Sequence, residues 1–412
     1  MLLEFRISNY KSIRKEVTLS FIASSDDSHP ANVAEHLGQR VLRSAAVYGP
    51  NGSGKSSLVG ALAFVKRLVL SSVSNQPGQG ISVPSNKLDG PLKPSTFMLQ
   101  FTAGEDRFVY GFSVKGGIIS EEYLYFFPRG RQALIFERFE DASFKIGSKF
   151  TRGQFASCVG ALKQNRLMLS CVANFCSIPE VDDVFTFFRD GVVTFTPALE
   201  DDWLRYSLSH LDEDEADRKK ALDLLNSFGV EARGIRVEHG NVKIDPDALP
   251  PFLSEEFKRQ LLVSDIDAFG AKVVYDGFEI DLFEEESLGV KKLFSIVGPL
   301  LDIVSSGKIL VCDELESSLH EAVVASIASA FADSESNKCA QLLFTTHDTG
   351  ILERDILRRD QVWFTELRRE DRSTDLYSLS EIKNVRKGDN LARGYMTGRY
   401  GAVPAISISG RG

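Results

Sequence analysis

Gly49-Pro50-Asn51-Gly52-Ser53-Gly54-Lys55-Ser56-Ser57 satisfies the phosphate-loop pattern G-x-x-x-x-G-K-[ST] at every required position. An apolar run, Val41 to Tyr48, precedes it like a buried strand, and Ser57 to Val65 follows it like a helix. Glycines let the backbone form a nest of N–H groups around phosphate oxygens, and the helix N-terminus adds its positive dipole end. Asn51, Gly52, Ser53, Gly54, Lys55, Ser56 and Ser57 are therefore the expected phosphate-binding set. Lys55 would reach the β- and γ-phosphates of ATP, and Ser56 would ligate Mg²⁺.

Working outward, Lys308 to Glu314 is an apolar strand ending in two carboxylates. Beside a phosphate loop, Asp313 is expected in the Mg²⁺ shell, and Glu314 is expected to accept a proton from the attacking water. Gln341 to His347 is a second apolar strand closed by a histidine, placed to contact a γ-phosphate. Upstream, Glu286-Ser287-Leu288-Gly289 opens the apolar helix Leu293 to Val304. Ser287 and Gly289 can offer hydroxyl and N–H groups to an anion there, and a plain N-cap fits the same residues.

Composition narrows the class. With 412 residues, 43% hydrophobic and 25% charged, the chain reads as an ordinary globular protein of two or three lobes. A net charge of −9 means that any DNA contact would need a local basic patch. The one basic cluster, Arg354 to Arg372, is interleaved with acids and reads mainly as a solvated face. The five cysteines and six histidines lack metal-ligand spacing, so no zinc or disulfide framework is expected. Charge appears by Glu4, and no apolar run approaches the ~20 residues of a membrane span; the expected compartment is the cytoplasm.

Leu2 to Ser8 alternates like an edge strand, and residues 71–94 read as a long, mobile Ser/Gly/Pro-rich loop. Phe97 to Phe101, Arg107 to Val114 and Glu121 to Phe127 alternate as strands of an antiparallel sheet, with Gly116-Gly117 at a hairpin turn. Trp203 to Phe228 has helical spacing around the acidic run Asp212 to Glu215, and a further helix capped by Ser254 is expected. Three segments follow: 1–175, the first half of an ATPase head; 176–265, a helical insertion; and 266–412, the second half.

The order of these motifs resembles the ABC-type ATPase head of SMC, Rad50, RecF and OLD proteins. Asn9-Tyr10-Lys11-Ser12-Ile13 is similar to their N-F-[KR]-S-F segment, which adds Lys11 and Ser12 to the implied nucleotide-binding residues. The AAA15-type family of short bacterial ATPases is closer still. Its E-S-x-G-T, D-E-x-E-x-S-L-H and G-R-Y-G-A-[IV]-P motifs are matched by Glu286–Gly289, Asp313–His320 and Gly398–Pro404. Val290 replaces the signature threonine, and the usual glutamine near Mg²⁺ has no clear match beyond Asn174.

The resemblance implies an α/β fold, an ABC-type P-loop head with an antiparallel β lobe and a helical insertion. It implies ATP bound between two copies, with Ser287 and Gly289 acting across the seam, Glu314 polarising water and His347 sensing γ-phosphate. Homodimers or higher homo-oligomers are implied, and so is a separate protein effector, a nuclease or toxin from the same operon. The implied role is the ATPase of an anti-phage system of PARIS-like or RloB-associated type. The alternative is a RecF- or Rad50-like DNA-repair ATPase; a self-sufficient OLD-type nuclease lacks the residues after His347.

Overall fold

The computed structural model describes residues 1–195, 200–242, 266–317, 319–333, 337, 339–386 and 388–403. The chain divides into two units, Met1–Phe195 with Ile303–Gly412, and Thr196–Asp302. The expected helix after Ser254, and Pro404 of the C-terminal motif, lie outside the described residues.

The first unit is built on two large sheets. One is antiparallel with seven strands. In chain order these are β1 (Leu2–Ser8), β2 (Val17–Ser20), β6 (Ser95–Ala103), β7 (Asp106–Lys115), β8 (Ile118–Phe126), β9 (Ala133–Phe139) and β10 (Phe144–Ile146). Their spatial order is β10-β9-β8-β7-β6-β1-β2. Here β1 differs from the sequence reading: it pairs with β2 on one side and β6 on the other, so it is an interior strand. Its alternation reports a sheet with one face on the core rather than an edge. After β2 the chain forms the small antiparallel hairpin of β3 (Val33–His36) and β4 (Gln39–Leu42).

The second sheet holds β5 (Ser44–Tyr48), β11 (Val192–Phe195), β15 (Ile309–Cys312), β16 (Gln341–Thr345), β17 (Val362–Leu367) and β18 (Thr374–Ser378). The order is β11-β15-β16-β5-β17-β18, parallel throughout except for the antiparallel β17–β18 pair. Strands β5, β15 and β16 are buried at every residue, which is why they read as continuous apolar runs. The run before the phosphate loop splits at Arg43: Val41 and Leu42 belong to β4, and only Ser44–Tyr48 enters this sheet.

The helix Lys55–Ser71 sits in the core shared by the two sheets. Phe64 packs 5.2 Å from the Phe97 ring of β6 and 5.9 Å from Tyr10. Extended to Ser74, this helix is long and apolar enough by composition to cross a membrane, yet ten of its residues are buried in the protein's own core. The expected α/β class with an antiparallel lobe is what the structure has. The 71–94 segment is a loop, as read, but a pinned one. Asn86 donates its N–H to Asn9 Oδ1 and its amide to the Lys11 carbonyl, while Asn9 Nδ2 donates to the carbonyls of Gly90 and Lys93.

In the second unit, β12 (Gly234–Val242), β13 (Ile266–Tyr275) and β14 (Phe278–Asp281) form an antiparallel sheet. The expected long helix is two, Glu200–Glu213 and Glu215–Ser227, broken inside the acidic run. Asp214 makes the break, its carboxylate accepting from Ala216 N–H at 2.7 Å as the second helix's N-cap. The first of these helices packs closely on Leu288–Ser306, where a Cβ on Gly298 would lie 2.7 Å from Ser207.

Candidate functional site

Strands β5, β15 and β16 lie side by side and parallel, so their carboxyl ends deliver the phosphate loop, Asp313-Glu314 and Thr345-Thr346-His347 to one edge of the sheet. This is the edge at which open α/β sheets bind ligands. Residues nearly three hundred positions apart meet here. Lys55 Nζ donates to His347 Nε2 at 2.8 Å and to the carbonyls of Gly49 (2.8 Å) and Pro50 (3.3 Å). An ammonium has three protons, so the protein engages all of them. Burial lowers the Lys55 pKa, opposed by Glu314, Glu316 and Asp313, which face it. The His347 pKa is lowered by burial and by the Lys55 cation. Its ring is thus neutral and accepts at Nε2.

One threonine organises the carboxylates. Thr345 Oγ1 donates to Asp313 Oδ1 at 2.7 Å and accepts from the Glu314 N–H at 2.8 Å. Glu314 has φ +52, which turns the chain sharply after β15 and leaves its carboxylate exposed. Glu316 Oε1 accepts the His347 N–H at 2.6 Å, clamping the histidine's backbone.

The loop itself is braced from behind. Gly54 has φ +115, and a Cβ there would lie 2.1 Å from Thr374 Oγ1; only glycine fits. Thr374 Oγ1 is 2.8 Å from both the Ser53 carbonyl and Ser12 Oγ, and Ser12 Oγ is 2.9 Å from Ser57 Oγ. A hydroxyl has one proton and a carbonyl can only accept. Thr374 therefore donates to Ser53, Ser12 to Thr374, and Ser57 to Ser12. By the same logic Thr365 Oγ1 donates to the Tyr48 carbonyl (3.2 Å) and accepts from Ser53 Oγ (2.6 Å).

The sequence-derived residues are thus distributed as follows. Lys55, Asp313, Glu314 and His347 converge, and Ser12, Ser53 and Ser57 form the bracing chain. Asn51, Gly52 and Ser56 are exposed on the loop. Lys11 lies further along the helix, its Nζ 3.2 Å from where a Gly60 Cβ would be. Ser287 and Gly289 belong to the second unit, where Ser287 Oγ accepts from the Val290 N–H at 3.2 Å as an N-cap does. Asn174 turns its amide back onto the Ser170 carbonyl. Thr345, Thr365, Thr374 and the clamping role of Glu316 escaped the sequence reading; threonines inside strands carry no motif.

Two other stretches resolve structurally. In the arginine cluster, Arg358 is buried against Asp360, Arg359 pairs with Asp26, and Arg368 pairs with Asp375. Half of those charges are already used inside the protein. In the C-terminal motif, Tyr400 is 2% exposed and packs on Phe364, while Tyr395 lies 5.6 Å from Tyr48.

No curated protein sequence matches the chain. Three solved structures are similar over 92% of it. They are an SMC head bound to the C-winged helix domain of ScpA (13% identity, 97% of that chain, TM-score 0.48); the SMC head domain from Thermotoga maritima (13%, 98%, 0.42); and the Smc head domain with an extended coiled coil bound to the C-terminal domain of ScpA from Pyrococcus furiosus (12%, 96%, 0.39). At such scores the likeness carries nothing about activity. A family model described as "AAA domain, putative AbiEii toxin, Type IV TA system" matches residues 44–353, from the first residue of β5 to beyond His347. That match spans most of the chain, including the phosphate loop, Asp313-Glu314 and His347, and the chain belongs to this family of P-loop ATPase domains.

Proposed function

We propose that this protein binds and hydrolyses ATP at a seam between copies of itself and serves as the sensor and scaffold subunit of an anti-phage, abortive-infection system. In this reading it resembles the AAA15-type ATPases of PARIS-like and RloB-associated systems and controls a separate effector, such as a Toprim nuclease. The observation that supports the nucleotide role is the meeting of Lys55, Asp313-Glu314 and His347 at the ends of three adjacent parallel strands. The toxin and TA-system description of the family supports the defence role.

Each residue then has a task. Lys55 turns donors now given to Gly49, Pro50 and His347 toward the β- and γ-phosphates. Glu314, exposed at the end of β15, orients the attacking water and takes its proton. His347, held by Glu316, contacts the γ-phosphate. The Ser56 hydroxyl and the Asp313 carboxylate are hard oxygen donors and fit Mg²⁺, which would neutralise charge on the β- and γ-phosphate oxygens. Ser287 and Gly289 act on the nucleotide of the neighbouring copy, so binding closes the assembly and hydrolysis opens it.

The test is a set of variants. Glu314→Gln is expected to bind ATP, trap it and hold the oligomer closed, read by phosphate release and light scattering. Lys55→Ala is expected to lose nucleotide binding. Ser287→Arg should bind ATP without turnover, and mixing it with Lys55→Ala should restore part of the activity. Unreduced turnover in Glu314→Gln, or no complementation in the mixture, would count against the assigned roles.

A further inference from the structure

We infer that Glu316, Asp348 and Tyr48 form a site for a dehydrated monovalent cation, K⁺ or Na⁺, at the turn that carries His347. The inference does not depend on the nucleotide reading. It starts from three oxygens that are shut off from solvent and have no hydrogen-bond partner among the described residues: Glu316 Oε2, Asp348 Oδ2 and Tyr48 Oη. Tyr48 is fully buried as a whole. Buried polar groups are nearly always paired, and a carboxylate is among the costliest to leave otherwise. The backbone brings the three residues together. Glu316 reaches the turn through its other oxygen, Oε1, which accepts the His347 N–H at 2.6 Å. Thr346 N–H donates to the Val47 carbonyl at 3.1 Å, which sets Thr346 beside Tyr48 and on the same face of the sheet. Asp348 folds back over Thr346, donating its N–H to Oγ1 at 3.0 Å, while its own Oδ1 accepts the Gly350 N–H at 2.8 Å. Burial first, and then Asp348 and Glu316, push the Tyr48 hydroxyl well above the usual phenol range, so both carboxylates act on it.

The donor set specifies the chemistry. Two carboxylate oxygens and a phenol oxygen are hard ligands, and they carry negative charge that the neighbouring side chains do not neutralise. The Lys55 ammonium faces Glu316, but its three protons go to Gly49, Pro50 and His347. A bridging water would accept from Tyr48 and donate to both carboxylates, yet it would leave two charges uncompensated in a buried place. Mg²⁺ keeps several waters and demands octahedral geometry, which three shielded protein oxygens do not supply. An alkali cation sheds its water at lower cost and tolerates an irregular set of oxygens. The ligands are also separate from Ser56 and Asp313, the pair that fits Mg²⁺. Bound there, the cation ties the residue before the phosphate loop to the carboxylates on either side of the His347 backbone, and so steadies the ring that Lys55 meets.

The probe is the alkali cation alone. The full chain is melted without nucleotide, in EDTA, at one ionic strength in KCl, NaCl or choline chloride, choline being too large for the site. With K⁺ or Na⁺ at about ten times its dissociation constant, the midpoint should lie about 2 °C above that in choline and should saturate with concentration. Asp348→Asn keeps the acceptor for the Gly350 N–H and removes one charge. It should melt above the parent in choline and lose the alkali increment. Tyr48→Phe keeps the ring packing and should move saturation to about fivefold higher salt through loss of one neutral ligand. A crystal grown in RbCl should show an anomalous peak between Glu316, Asp348 and Tyr48. Three results would overturn the inference: equal parent midpoints in all three salts, an undiminished alkali increment in Asp348→Asn, or water density without an anomalous peak at the three oxygens.

Discussion

Replacing Thr374 by valine isolates the bracing of the phosphate loop from its chemistry. The side chain keeps its β-branch and nearly its volume, so packing in the strand is retained. What disappears is one hydroxyl at the centre of the Ser57–Ser12–Thr374–Ser53 chain. Thr374 and Ser53 are 2% and 1% exposed, so the Ser53 carbonyl loses its donor where water has little access. A buried acceptor left unpaired costs about 1–3 kcal/mol, partly offset by no longer burying the Thr374 hydroxyl, for a net of about 1–2 kcal/mol. Ser53 also donates to Thr365, so the loop is not released altogether; it is held on one side only. If nucleotide restores the loop's geometry, the same energy is subtracted from binding, and affinity falls roughly 5- to 30-fold. Titration with a fluorescent ATP analogue reads this directly, alongside the thermal midpoint without nucleotide. Ser12→Ala, which removes the middle hydroxyl, should show the same trend with a smaller effect. Wild-type affinity together with an unchanged midpoint in Thr374→Val would refute the bracing argument.

Further predictions concern the frame. Glu122 is fully buried, 3.6 Å from buried Arg138, and accepts from the N–H groups of Met168 and Leu169 and from Tyr110. Burial raises its pKa and lowers that of Arg138, so Glu122→Gln should cost about 3–5 kcal/mol by stranding the guanidinium, read from the urea midpoint; a loss below about 1 kcal/mol would refute it. Asp360 is pushed up by burial, but the bonds from Arg358 and Ser24 outweigh this and hold its pKa below the ordinary value. Its folded pKa is depressed, so the stability it contributes is present above the unfolded value and is lost as pH falls through the folded one. Wild-type stability should therefore drop below about pH 4, and Asp360→Asn should be less stable at pH 7 but flatter across that acid range. Tyr400→Ala should cost about 3–5 kcal/mol by emptying the aromatic cluster behind β5, whereas Tyr400→Phe, which removes a buried hydroxyl without a hydrogen-bond partner among the described residues, should be neutral within about 1 kcal/mol in the same unfolding assay.

How much of this could be read from residues alone follows from range. Lys55, Asp313, Glu314 and His347 were readable because each closes or follows an apolar run, and parallel strands buried on both faces write such runs without interruption. The hairpins of the antiparallel lobe were readable for the same local reason, through alternation and Gly116-Gly117. What escaped depends on a partner distant in sequence. Nothing about Thr374 indicates that it stands over Gly54, 2.1 Å from an impossible Cβ. Nothing about Asn9 indicates that it ties down residues 86–93, which is why that loop read as free. The interior position of β1 was hidden too, because an alternating strand looks alike at the edge and in the middle of a sheet that has one face on the core.

The C-terminal Gly398–Val403 segment gains a physical meaning from those long-range contacts. Its two glycines sit at φ +74, and the turn they make lays Tyr400 over Gly394, where a Cβ would lie 2.3 Å from the hydroxyl. Tyr400 then packs on Phe364, Phe364 stacks on Tyr395, and Tyr395 meets Tyr48, the residue immediately before the phosphate loop. Tyr377 donates its hydroxyl to the Tyr400 carbonyl and packs on the same Phe364. Phe364 is the residue before Thr365, and Tyr377 lies on the strand that Thr374 begins. One aromatic cluster therefore fixes β17 and β18 against β5, and these two strands carry both threonines that hold Ser53. A rigid loop needs its donors aimed before the phosphate arrives, since reorganising them on binding would subtract from affinity. The chain's last described segment and its phosphate loop are, in that sense, two ends of one support.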